Sequence, residues 1–126
     1  MNTIEKKTGQ TANLYFSTVK DEDKPYNLWK YFDKGLAKDM SLYITGQMYA
    51  REKIPHTIRQ LVTVAALTVL SKPEELKLHI HAALNVGCTK EEVAEVIFLT
   101  SIYGGVPAAN TALSALKAVL EERNEA

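Results

Sequence analysis

A single cysteine, Cys88, is all that the 126 residues hold. One thiol excludes a disulfide framework and any Cys-x-x-Cys redox or zinc pair within one chain. There is no charge imbalance either, because 15 basic side chains meet 15 acidic ones. Without a basic stripe, nothing marks a nucleic-acid binder or an anionic-membrane binder. Residues 1–15 are polar and lack the apolar centre of a signal peptide. The longest apolar-looking run, residues 61–70, includes Thr63 and Thr68 and falls short of the roughly 20 residues that span a bilayer. The expectation is a cytoplasmic protein of one domain, large enough for its own core.

What is present is helical punctuation. Residues 1–24 are rich in Thr, Lys, Asp and Glu and read as a flexible arm, leaving residues 25–126 as the folded domain. Pro25 opens an aromatic segment with Tyr26, Trp29, Tyr31 and Phe32, and Gly35 is placed to stop it. Leu36, Met40, Tyr43, Ile44 and Met48 space out a second helix. After Ile54-Pro55, the Thr57 to Gln60 spacing has the form of a capping box for a helix over 58–70. That helix is apolar on almost every side, which predicts a central position covered all round. Ser71-Lys72-Pro73-Glu74 starts another helix, closed by Gly87; Thr89 to Glu92 caps the next. Gly104-Gly105-Val106-Pro107 interrupts it, and 108–122 ends the chain as an amphipathic helix. No stretch reads as a strand, so the class is all-α. Two helices apolar all round leave more apolar surface than so small a chain easily buries, which predicts an oligomer. The aromatic segment is a candidate for its interface, or a cap on the monomer's own core.

Within the helix after Pro73, the apolar arc at about 100° per residue runs Leu78, Ala82, Ala83, Leu76, Ile80. Glu75 and His79, one turn apart, fall in the middle of that arc, while Glu74, Lys77 and His81 point to the polar face. An acid and a histidine aimed at the core read as a catalytic pair, or as a buried hydrogen bond joining two helices. His79 and His81 diverge by about 200° on a helix, so they do not chelate one ion, and no metal site is expected. His56 reads as a solvated turn residue. Gly104-Gly105 lacks Walker-type spacing and fits close helix packing or a kink better than a phosphate loop.

The blocks Ile54-Pro55, Thr57-Ile58-Arg59-Gln60-Leu61, Glu75-Leu76-Lys77-Leu78-His79-Ile80-His81-Ala82-Ala83-Leu84-Asn85 and Ile102-Tyr103-Gly104-Gly105-Val106-Pro107-Ala108-Ala109-Asn110 stand in this order. Together with the run from Val86 to Val93 they resemble the carboxymuconolactone decarboxylase family, over roughly residues 46–120. The resemblance implies an alkylhydroperoxidase-like helical fold assembled as a homohexamer or trimer-based ring. In the decarboxylase branch it implies loss of carbon dioxide from gamma-carboxymuconolactone during aromatic catabolism. The redox branch carries Cys-x-x-Cys where this chain has Lys72 and Glu75. Without a thiolate there, thiol peroxidase chemistry is not expected. That branch also has a glutamate in place of Gln60, and decarboxylases tend to show Gly-Glu where this chain has Gly46-Gln47.

A conjugated lactone carbonyl accepts the electrons left by carbon dioxide, so the reaction needs no cofactor. The protein must hold the carboxylate, stabilise enolate-like charge and deliver a proton. His79 is the expected general acid/base, oriented by Glu75. Arg59, in the first turn of its helix, suits a substrate carboxylate, or a salt bridge across a subunit contact. Gln47 and Tyr103 are candidates for hydrogen bonds to the lactone; the competing roles are a surface or cap position and a packed interface tyrosine. The expected partner is a small carboxylated lactone. Two other readings stay open: a family member acting on another lactone or keto acid, and a non-catalytic ligand-binding or scaffold protein.

Overall fold

The structure, a computed structural model, describes residues 2–125. These form α1 (Thr3–Phe16), α2 (Pro25–Phe32), α3 (Lys34–Ser41), α4 (His56–Val69), α5 (Pro73–Asn85), α6 (Lys90–Gly104) and α7 (Val106–Glu122). A short 3-10 turn (Asp21–Asp23) precedes α2, and a π-helical segment (Leu42–Tyr49) continues α3. No strand occurs among the described residues, in agreement with the all-α reading.

The core gathers around α5. Its Leu76, Ile80 and Ala83 pack with Val64 of α4, with Val93 and Ile97 of α6, and with Ala109, Ala112, Leu116 and Val119 of α7. The alanines of α7 let that helix approach closely, and Gly104 brings α6 against α4, where a Cβ would sit 3.1 Å from Val69 Cα. Thr89 caps α6 through the expected reciprocal pair, Glu92 N to its Oγ1 at 3.0 Å and its own N–H to Glu92 Oε1 at 2.8 Å. Gly105, at φ +91°, makes the corner into α7.

Four local expectations are corrected. The segment read as a flexible arm contains α1, capped by Asn2, whose Oδ1 accepts from Glu5 N at 2.8 Å; Met1 lies outside the described residues. Its buried stripe is Thr8, Thr11 and Tyr15, at helical spacing but two-thirds threonine, so its apolar pattern is weak. The break before α3 comes at Asp33, whose carboxylate accepts from Leu36 N at 3.0 Å, and Gly35 lies inside the helix. At α4 the N-cap is Pro55 without a side-chain cap, and Gln60 is buried instead of capping. The helix covered on both sides is α5, which buries every residue from Leu78 to Ala83, while α4 leaves Ile58, Val62 and Val69 exposed. Among the described residues nothing covers that outer face.

Candidate active site

Against the remaining side of α5 lies α1, while α2, α3 and the π-helical segment face α5 across a gap. They enclose a cavity of ≈1180 Å³ lined by residues that include Phe16, Trp29, Thr45, Tyr49, Leu78 and His79. Close approach of α1 to the π-helical segment depends on Gly46, because a Cβ there would fall 2.1 Å from Thr8 Oγ1. The wider π turn departs from the 3.6-residue repeat, and Tyr49 ends it beside α5.

His79 is a buried polar group on this wall, 5% exposed. Its ring packs edge-on to Phe16 (centroids 5.8 Å apart) and against Tyr49 (5.5 Å). Nδ1 lies 3.1 Å from Gln60 Oε1, and Nε2 lies 3.5 Å from the Tyr49 hydroxyl. Burial pushes the imidazole down to about 4, because the charged form is poorly solvated there. Behind Gln60, the fully buried Tyr15 bonds His56 Nδ1 through its hydroxyl, which also donates to the Tyr49 carbonyl at 3.3 Å. His56 is therefore half-buried and bonded rather than a solvated turn residue. Burial raises both tyrosine hydroxyls.

The expected site residues are not brought together as a set. Glu75 reaches the cavity wall but is exposed, and the partner of His79 Nδ1 is Gln60. Two residues one turn apart share a helix face, yet α5 turns that face so that Glu75 meets solvent at the rim. Arg59 donates from Nη2 to the Arg51 carbonyl at 2.8 Å, outside the cavity. Gln47 is exposed on the outer side of the π-helical segment, and Tyr103 is 75% exposed near the end of α6. Gln60, Tyr49 and Phe16 were the residues that sequence reasoning missed as neighbours of His79. Gln60 stood out only as a departure from a family pattern, and the other two lie where helical periodicity was weak or broken.

His81 is buried as well, not solvated on a polar face. Its Nδ1 faces Thr18 Oγ1 at 2.9 Å and Arg123 Nη1 at 3.3 Å, and Nε2 lies 3.8 Å from Glu122. Burial lowers its pKa, with Glu122 opposing. Arg123 also donates to Asn85 Oδ1 at 2.9 Å, so this cluster ties the end of α7 to α5 and to the turn after α1. Cys88 is 5% exposed with its thiol pushed up to about 11, mainly by burial, which leaves it protonated and unreactive at neutral pH. Around the cavity mouth, Lys24, Lys38 and Lys77 pair with Asp21, Glu5 and Glu74. Lys20 lines the cavity with no acidic partner among the described residues.

The family model described as the carboxymuconolactone decarboxylase family matches residues 35–118. A 4-carboxymuconolactone decarboxylase of Acinetobacter baylyi is 34% identical over 91 residues, covering 72% of this chain and 68% of that protein. An uncharacterized 15.0 kDa protein from the nqo9-nqo10 intergenic region of Paracoccus denitrificans is 39% identical over 83 residues, covering 64% of this chain and 61% of its own length. The match begins inside α3 and ends inside α7, taking in Gln60, His79 and the α6–α7 corner, so the chain belongs to the carboxymuconolactone decarboxylase family.

Proposed function

We propose that this chain catalyses cofactor-free decarboxylation of a small carboxylated lactone of the gamma-carboxymuconolactone type. The observation that carries the reading is a buried, neutral imidazole whose Nε2 looks toward a large cavity beside a tyrosine hydroxyl. In the reaction the bond to the carboxyl carbon breaks, and its electron pair moves through the conjugated double bond onto the lactone carbonyl. Carbon dioxide leaves, and one proton from solvent ends on a ring carbon. His79 is the carrier of that proton. Burial disfavours its charge; a substrate carboxylate supplies the opposite charge that makes protonation favourable. The Tyr49 hydroxyl is placed to donate to the enolate oxygen as it gains charge. Lys20 is the cation for a substrate carboxylate, and Arg59, Gln47 and Tyr103 have no substrate contact within one chain.

The cavity volume favours a second reading. Pockets for drug-sized ligands occupy about 300–1,000 Å³, whereas this one measures ≈1180 Å³. A bulkier lactone or keto acid fits that space better than a single small ring. The test is carbon dioxide release from gamma-carboxymuconolactone by the purified protein, with His79→Ala alongside. Turnover that falls by about 10²-fold or more in a folded variant supports the reading. Absence of turnover by the parent overturns it and leaves the larger substrates.

A further inference from the structure

We infer that Gln60 is a positioning residue that confines proton exchange at His79 to Nε2, the ring edge toward the cavity. The inference rests on the reading of His79 as proton carrier, but it concerns the resting ring without substrate. Gln60 is fully buried on α4, and its Oε1 stands 3.1 Å from His79 Nδ1. An amide oxygen only accepts, so Nδ1 keeps its hydrogen whether the ring is neutral or charged. The lone pair of the neutral ring then lies on Nε2, opposite the Tyr49 hydroxyl. Turning the amide over would set a donor against Nδ1, move the ring hydrogen to Nε2 and close the cavity-facing nitrogen to proton uptake.

Gln60 Nε2 is buried with no hydrogen-bond partner, a costly state for a donor. The amide oxygen is spent on the histidine, and the same side chain lies close enough to the Tyr15 hydroxyl to oppose the effect of its burial. A carboxylate at this place would accept the same hydrogen bond but would hold the ring as imidazolium at rest. The neutral amide orients the ring and leaves it uncharged until substrate arrives. The other titratable groups around this corner are Tyr49 from the π-helical segment, Tyr15 from α1, Arg59 next to Gln60 on α4, and Glu75 one turn earlier on α5. None of them bonds Nδ1.

The test is ring-nitrogen NMR of the uniformly 15N-labelled full chain without substrate from about pH 3.5, below the His79 midpoint, up to about pH 8, with His79→Gln identifying the signal. The parent should show a protonated Nδ1 and an unprotonated Nε2. Gln60→Glu should raise the His79 titration midpoint by roughly 1–3 pH units. A parent ring protonated at Nε2, or a midpoint unmoved by Gln60→Glu, overturns the inference. If Gln60→Glu does not fold, the parent spectrum decides alone. Because no substrate is present, a failure here is separate from a failure to release carbon dioxide.

Discussion

At the scale of single residues, burying a histidine that prefers to be neutral makes stability depend on pH. The folded pKa of His79 is about 4, below the ordinary histidine value of 6.5. Between these values the unfolded chain binds more protons, so stability is complete above about pH 6.5 and falls as the pH drops toward 4. At about 1.4 kcal/mol per unit, His79 contributes roughly 3 kcal/mol to that loss, and His81 adds to it in the same direction. Denaturant titrations at pH 7 and pH 4 should show the loss, and His79→Gln should reduce it. An unchanged difference in that variant would assign the acid sensitivity elsewhere. Lys20→Ala should raise KM while leaving kcat within a few-fold, because its ammonium serves binding rather than proton transfer. An unchanged KM would remove Lys20 from the substrate site.

At the scale of elements, the cavity exists because α1 docks on the π-helical segment. That docking depends on Gly46, since any Cβ there meets Thr8 Oγ1, itself bonded to the Ile4 carbonyl at 2.6 Å. Gly46→Ala should destabilise the protein by about 1–3 kcal/mol, the usual range for overpacking. It should also increase amide exchange in α1 more than in α7. Uniform exchange changes would argue against a local docking role. These elements also mark what could be read from the residues. The segments from α5 to α7 carry Pro73, the Thr89–Glu92 box and Gly105, local signals that work without tertiary context. His79 was legible for a similar reason, as a titratable group inside an apolar arc. The α1 stripe was not, because Thr8 and Thr11 are buried by their neighbours rather than by hydrophobicity. Tyr49 was not, because a π turn breaks the 3.6-residue repeat on which such reasoning rests. Glu75 was misassigned because sharing a helix face with His79 does not decide which part of that face stays wet.

At the scale of the whole molecule, large apolar side chains stand exposed on α6 and α2. Phe98, Leu99, Ile102 and Tyr103 form an outward stripe on α6, exposed at 56%, 56%, 72% and 75%. Val106 extends it at the α7 corner, and α2 adds Tyr31 and Phe32, both more than three-quarters exposed. Such patches mark association surfaces. We propose that copies of the chain associate through the α6 stripe. Light scattering should then find an oligomer for the parent and a smaller species for Phe98→Glu/Ile102→Glu. A monomeric parent at micromolar concentration would contradict this.

The central claim is that His79 takes up a proton at Nε2 when the substrate's charge arrives, and the pH dependence of kcat/KM for carbon dioxide release tests it most directly. That ratio reports the free enzyme, in which the ring is protonated only near pH 4 and below. The account predicts a kcat/KM that falls about tenfold per pH unit between pH 5 and 8, while kcat stays flatter because bound carboxylate holds the proton on the ring. A kcat/KM that is level across this range would contradict it.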